Sequence, residues 1–345
     1  MGNRSDKNVI PVSTDLPIVH PVFLERPIWY WNSDKNPWSS SPELCKWQPY
    51  SDIENEIIET AYQSYEKQVL LDNYIIDLEH KVQIDKQDEK KTCPIKQFLV
   101  SSQNDLLRTE RFYFPQKLVQ SFSEVNSNRF LNEWKNKNHG ISLSDKLEQA
   151  ADGIIKEGKQ LGLQTEPKWI AKELREMKDK PNEEIEKYLI SLYTKECFIY
   201  KIINKTLREN DRSKLDTLGA LCQLLYHCDC SSTFKPYGYN GLLYRGAQLD
   251  QQTIDGYIQA VGSKKTWDAF SSTSKKREKA EKFGNVLFII ELKSSSYHFS
   301  GMDISSYSYY PEEEEVLVRA ARNFIIEKVE RDDMTGKYCI YLSLC

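Results

Sequence analysis

A chain of 345 residues, 28% charged and 39% hydrophobic, has the balance of an ordinary globular protein with room for about two domains. Its formal net charge of -4 argues against duplex nucleic acid held by its phosphates, so no direct DNA binding is expected. No apolar run is long enough to span a membrane, the start lacks the apolar core of a signal peptide, and Asp6 stands where an N-myristoylation signal has Ser or Thr, so an intracellular location, cytoplasmic or nuclear, is expected. Eight cysteines at irregular spacing then read as free thiols and not as a disulfide framework. Cys222, His227, Cys228 and Cys230 have metal-ligand residue types, but they lie in a helical pattern without a paired CxxC, so no metal is expected.

Residues 1–24 are polar, contain proline and keep no period, which predicts a tail. From Ile28 the composition changes. Trp29, Trp31, Trp38 and Trp47, with Tyr30 and Tyr50 among them, lie on short segments separated by the turn formers Asn32–Pro37 and Ser39–Pro42, which predicts aromatic strands. Ile53, Ile57, Ile58, Ala61, Tyr62 and Tyr65 then follow a helical period, with Ser51 or Asp52 able to cap it. Tyr74–Leu78 and Lys81–Ile84 read as strands and Lys86–Lys91 as a charged turn, so residues 25–100 form a small α+β module.

This module resembles a WWE domain, on the strength of Trp29-Tyr30-Trp31, Trp47-Gln48-Pro49-Tyr50, Ile58-Glu59-Thr60-Ala61 and Tyr74-Ile75-Ile76-Asp77-Leu78 leading to Val82-Gln83. The resemblance implies binding of the iso-ADP-ribose unit of poly(ADP-ribose), or else of a protein partner. Tyr50, Tyr74 and Gln83 match the family's ligand-binding positions, and they supply the aromatic face and edge hydrogen bond that an adenine needs. An arginine that the family carries on its last strand falls at or near Cys93 here. Lys91 and Lys96 are the neighbouring cations, and lysine lacks the bidentate fork of arginine.

Residues 101–143 read as a linker entering helical sequence, with helices expected at 144–163, 166–178, 182–210 and about 215–227. From Gly241 the period becomes that of strands. Arg245 stands in an otherwise apolar run, where an arginine is rare unless it is paired or binds an anion, and Gly246 beside it allows a ligand close to the backbone. Ser271-Ser272-Thr273-Ser274 is followed by a charged helix, Lys275–Phe283, stopped by Gly284. Asn285–Leu292 reads as a buried strand, 294–310 as a loop, and segments near 316–319, 322–330 and 338–344 as the remaining strands. Glu312 to Glu315 run straight into the apolar Val316-Leu317-Val318. An acidic run is usually a solvated face. Here it meets a buried strand, and alternation along an extended chain would put Glu313 and Glu315 on one face.

Tyr244-Arg245-Gly246, then Phe270-Ser271-Ser272-Thr273-Ser274, then Glu313-Glu314-Glu315 before Val316-Leu317 resemble, in that order, the arginine-specific mono-ADP-ribosyltransferases, which include cholera-like toxins and the vertebrate arginine transferases. The resemblance covers about residues 180–345, including Leu192–Glu196, and implies a transferase domain over 144–345, with a helical lead-in and a β-sandwich core. The whole chain is then α+β. It further implies NAD as substrate, no metal, and protein substrates with an exposed arginine. On this reading Arg245 clamps the diphosphate and the nicotinamide ribose, the Gly246 backbone holds the nicotinamide amide, and Ser272, with Thr273 and Ser274, completes the NAD-binding set. Glu315 stabilises the ribosyl cation, Glu313 holds the acceptor guanidinium and draws off its proton, and Tyr310 stacks on that group. After the last glutamate the family often continues Pro-Pro or Pro-Gly, where this chain has Arg319-Ala320-Ala321-Arg322. Two alternatives stay open: an NAD glycohydrolase with water as acceptor, and a catalytically idle reader or adaptor of ADP-ribose.

Overall fold

The computed structural model describes residues 26–38, 46–100, 121–125, 129–292 and 301–344. The expected tail, most of the expected linker before residue 129 and the start of the expected loop at 294–310 lie outside them.

The front module is organised around Trp29, which is fully buried. Its strands are β1 (Arg26–Asn32), β2 (Trp47–Pro49), β3 (Gln68–Leu70), β4 (Tyr74–Asp77), β5 (Val82–Asp85) and β6 (Thr92–Val100), in the order β2-β1-β6-β5-β4-β3. One helix, α1 (Asp52–Gln63), lays Ile53, Ile57, Ile58 and Ala61 into the same core. It starts where it does because Ser51 and Glu54 form a reciprocal capping box. The Trp29 indole N–H donates to Glu59 Oε2 at 2.8 Å, and Gln97 Nε2 donates to the same oxygen at 2.6 Å, so β1, β6 and α1 are tied at one carboxylate.

A helical layer comes next: α2 (Arg129–Lys137), α3 (Leu143–Gln160), α4 (Thr165–Glu176), α5 (Asn182–Thr194), α6 (Phe198–Glu209) and α7 (Leu215–Cys228). α3 and α7 pack so tightly that a Cβ on Gly153 would lie 1.7 Å from the Thr217 carbonyl oxygen. Two expectations need correction. The segment read as linker contains α2, whose Phe130, Leu131 and Trp134 are buried in the helical core. The single helix expected at 182–210 is two, broken at Lys195–Cys197.

The second sheet holds β7 (Gly238–Tyr239), β8 (Gly241–Ala247), β9 (Lys264–Trp267), β10 (Ser271–Ser274), β11 (Val286–Leu292), β12 (Gly301–Asp303), β13 (Glu315–Val318), β14 (Arg322–Arg331) and β15 (Tyr338–Leu344). Their order is β7-β12-β13-β10-β8-β11-β15-β14-β9, antiparallel except for β11 with β15. Val316 and Val318 of β13 share a core with Phe324 and Ile326 of β14, although those strands stand well apart in the order. One continuous sheet therefore curls on itself and supplies both layers of the expected sandwich. Two short helices, α8 (Gln251–Gln259) and α9 (Arg277–Ala280), pack beside it. α9 is shorter than the expected helix 275–283, and Gly284, at φ +61, turns the chain into β11.

The front module and the helices share one hydrophobic core, which runs from Trp29 and Ile58 through Leu147 and Ile190. Polar contacts close the seam. α4 has no side-chain cap of its own; Asp72 Oδ1 supplies one across the seam, accepting from the backbone N–H groups of Gln164 and Thr165 at 2.7 Å each. Ser51 Oγ donates to Glu166 Oε1 at 2.5 Å. The break between α5 and α6 receives the start of α1. Asp52 N–H donates to the Glu196 carbonyl at 3.3 Å, Asp52 Oδ2 accepts from Glu196 N–H at 2.6 Å, and Lys195 pairs with Glu56 at 2.6 Å.

Burial pushes the carboxyls of Asp52 up to about 6 and of Glu166 up to about 7. A raised carboxyl keeps in the folded chain a proton that the unfolded chain releases. Its contribution is present in full below the ordinary carboxylate range and is lost as pH rises through 6 to 7, at about 3 kcal/mol for each group. The thermal midpoint should therefore fall between about pH 4 and 7, and Asp52→Asn and Glu166→Gln should each flatten that fall. Calorimetry across the range is the measurement. A slope that neither substitution changes would mean these carboxyls ionise as freely as surface ones.

Candidate active site

The three sequence motifs lie on three neighbouring strands, β8, β10 and β13, near the middle of the curled sheet. Register brings them together: Ser274 pairs with Glu315 on one side and with Tyr244 on the other, and Ser272 pairs with Leu317. Arg245, next to Tyr244, donates from Nη1 to the Ser272 carbonyl at 2.7 Å. Burial lowers the affinity of Arg245 for its proton, and Tyr193, Tyr257 and Glu315 act against that. Ser272 and Glu315 are buried.

The two remaining members of the Ser-Thr-Ser motif face backbone. Thr273 Oγ1 donates to the Val316 carbonyl at 2.6 Å and stitches β10 to β13. Ser274 Oγ donates to the Glu313 carbonyl at 2.8 Å and accepts from Lys276 N–H at 3.0 Å. Gly246 has a packing reason: a Cβ there would lie 2.1 Å from the Ala280 carbonyl oxygen, so glycine is what lets α9 close over β8.

The alternation argument for the two glutamates fails. Glu313 ends a 3-10 turn, Pro311–Glu313, Glu314 takes a left-handed conformation at φ 46, and the strand starts only at Glu315. Both flanking carboxylates are nonetheless buried, Glu313 at 4% and Glu315 at 1% exposure, so a solvated face is excluded for them. Glu314 takes the solvent side and pairs with Lys276 at 2.5 Å. Tyr310 is buried, and its hydroxyl donates to Asp52 of the front module, 2.9 and 2.8 Å from the two carboxylate oxygens. In this arrangement its ring is not presented to an acceptor. Beyond the strand, Arg319 pairs with Asp229 at 3.2 Å and Ala321 turns at φ 62, so the departure from the Pro-containing pattern is a tethered turn.

Two further residues lie against the motifs: Tyr193, from the Leu192–Glu196 stretch that the resemblance includes without assigning it a role, and Arg208, which carries no signal in the sequence. Tyr193, at the end of α5, is fully buried between the motifs; it accepts from Asn204 Nδ2 at 2.9 Å, and burial, with the Glu315 charge beside it, pushes its hydroxyl up to about 12. Arg208, on α6, lines the same cavity as Arg245 with Tyr257, Trp267 and Phe270. Burial, then repulsion by Arg245, pulls its guanidinium down to about 10. Two guanidiniums on one cavity wall are an arrangement that suits an anion. In the sequence Arg208 is one more basic residue on an amphipathic helix, and nothing local sets it apart.

In the front module Tyr50 Oη donates to Gln83 Oε1 at 2.6 Å and both are buried, with Cys93 opposite Gln83 on the neighbouring strand. Burial raises the Cys93 thiol to about 11. Tyr74, half-buried, completes the group. Of the expected substitute cations, Lys96 lies over the Trp47 ring at 3.8 Å and Lys91 stands 4.0 Å from Asp88. Cys222 and Cys228 are buried in α7, and among the described residues no group of three or more His, Cys, Asp or Glu could hold a metal ion. Among the same residues no helix is long and apolar enough to cross a membrane.

Helices lead into a curled sheet whose adjacent central strands carry Arg245, Ser272 and Glu315. The ADP-ribosyltransferase exoenzyme family model matches residues 166–343, more than half of the chain, and the chain belongs to that family. Residues 27–97 match the WWE domain. No curated protein matches the chain. Similar solved structures include the ADP-ribosyltransferase HopU1 of Pseudomonas syringae pv. tomato, 19% identical, covering 64% of this chain and 99% of that one, with a TM-score of 0.41. The type III effector XopAI from Xanthomonas axonopodis pv. citri is 17% identical over 63% of this chain and 96% of its own, with a TM-score of 0.45. Vis toxin, an ADP-ribosyltransferase from Vibrio splendidus, is 20% identical over 61% and 88%, with a TM-score of 0.39.

Arg208→Gln should weaken NAD binding, because a charge-assisted bond to a buried anion is lost. The expected cost is about ten- to a hundredfold in Kd, read by calorimetry on the full chain. A parental Kd would take Arg208 out of the donor site.

Proposed function

We propose that this chain transfers the ADP-ribose of NAD to arginine side chains of proteins. The observation that carries this reading is the register of β8, β10 and β13, which gathers Arg245, Ser272 and Glu315, with Glu313 on the turn alongside. The bond from the ribose C1′ to nicotinamide breaks with its electron pair leaving on nicotinamide, and the ribose becomes an oxocarbenium-like cation. Arg245 and Arg208 hold the diphosphate. Ser272 bonds the ribose and, with Glu315, meets it at the 2′-hydroxyl, where the Glu315 charge opposes the developing positive charge. An arginine nitrogen of the acceptor forms the new bond to C1′. A guanidinium is too basic to lose its proton unaided, so Glu313 both holds it and takes that proton. A buried carboxylate suits this acceptor because a guanidinium offers it two parallel donors. Hydrolysis with water as acceptor is the second reading, favoured by the burial of Tyr310 against Asp52.

The front module is proposed to read ADP-ribose weakly or to hold a protein partner. An adenine edge must displace the Tyr50–Gln83 bond, and a thiol stands where the resemblance has a cation.

Glu315→Gln should lower nicotinamide release and transfer together, by about a hundred- to a thousandfold, since both pass through one cation. Glu313→Gln should spare release in part while labelling of a small guanidine is lost. Equal loss of both in the second variant would deny Glu313 its separate role. For the front module, calorimetry of the full chain with iso-ADP-ribose should record tighter binding for Cys93→Arg, by about ten- to a hundredfold, and weaker binding for Gln83→Ala. No heat from either the parent or Cys93→Arg would leave the protein-partner role.

A further inference from the structure

Tyr309 and Tyr310, immediately ahead of the Pro311–Glu313 turn, are held largely by the front module. Arg26 Nη1 donates to the Tyr309 carbonyl at 2.6 Å, and its guanidinium stands 4.0 Å over the Tyr309 ring and 5.1 Å from the Tyr310 ring. The Tyr310 hydroxyl is shared between both oxygens of Asp52. From the transferase side, Thr194 Oγ1 accepts from Tyr309 N–H at 2.9 Å.

The segment beyond this arm is stiff. Glu313 N–H donates back to the Tyr310 carbonyl at 3.1 Å, its own carbonyl accepts from Ser274, and Glu314 N–H donates to the Pro311 carbonyl at 3.1 Å. No glycine lies between Tyr309 and Glu315 to absorb a change. A shift of the tyrosines is thus carried into the Glu313 carboxylate. The donor half is held differently. Arg245, Ser272 and Glu315 belong to the sheet, fixed by the Arg245–Ser272 bond, the Thr273–Val316 bond and strand register.

We propose that Asp52 and Arg26 of the front module are positioning residues for the acceptor half of the transferase site, fixing the Tyr309–Tyr310 arm and through it Glu313. The module then sets how well an acceptor is used without governing how NAD is cleaved. This rests on Glu313 as the acceptor-side carboxylate. Asp52 lies at the first turn of α1 and Arg26 on the first strand, so two separate elements of the module grip one arm.

The test uses the full chain and two readouts: nicotinamide release without acceptor, and labelling of a small guanidine from labelled NAD. In Asp52→Asn and Arg26→Gln, kcat/KM for the guanidine should fall about ten- to a hundredfold, while release and KM for NAD stay within about twofold of the parent. Arg26→Lys, which keeps the charge and loses the fork, should lie between. A role in folding alone would lower both readouts together. Should Asp52→Asn fail to fold, Arg26→Gln, at a half-buried position, carries the test. Variants that keep the parental ratio of transfer to release, or that lower both in step, overturn the inference while the parent's labelling of guanidine keeps the arginine reading. A parent that releases nicotinamide but labels no guanidine overturns the arginine reading and this inference with it.

Discussion

The buried carboxylate of Asp52 is the contact on which the arrangement of the two halves depends. A carboxylate out of water is costly unless its oxygens are met by donors. Here a backbone N–H from the break between α5 and α6 and a phenol from the loop ahead of Glu313 meet it, with Arg26 close by. Each donor comes from a different element, so one side chain fixes three things at once: where α1 starts against the helices, where the long helical run must stop, and which way the tyrosine arm points. The neighbouring contacts of Ser51, Glu56 and Asp72 repeat the pattern, with polar groups of the front module answering the open backbone ends and charges of the helices.

The active site itself divides by what supports it. The proposed donor side rests on strands, whose register is enforced by burial on both layers of the curled sheet. The proposed acceptor side rests on a turn with a left-handed residue and on contacts to another module. Strand-borne groups are held within narrow limits, whereas a turn can be re-aimed by its neighbours. On the proposed reading, cleaving NAD and choosing an acceptor are thereby placed on supports of different rigidity.

Much of this was legible because the information is local. Arg245 in an apolar run, a Ser-Thr-Ser strand and carboxylates abutting Val316-Leu317-Val318 each carry their chemistry within a few residues, and so do the tryptophan pieces of the front module. What escaped is what distant segments decide. Nothing between Thr194 and Phe198 is a glycine or proline, and the helix breaks there where α1 docks. Glu313 leaves the strand because Pro311 and the left-handed Glu314 build a turn, which residue alternation cannot foresee. Arg208 became visible only when α6 was laid beside β8, and Tyr310 reads as an exposed loop aromatic until its partner 258 positions away is known.

The position of β15 has a consequence for how the chain is made. Its residues, Tyr338–Leu344, are synthesised after every other strand of the sheet, yet the strand sits inside it, parallel to β11 and antiparallel to β14. Until that segment has been made, β11 and β14 lack the strand that joins them, and the sheet stays in two parts, one of which carries β8, β10 and β13. The last strand of this sheet to be made is thus an internal one, and a chain that stopped before residue 338 would leave two unpaired edges within the sheet.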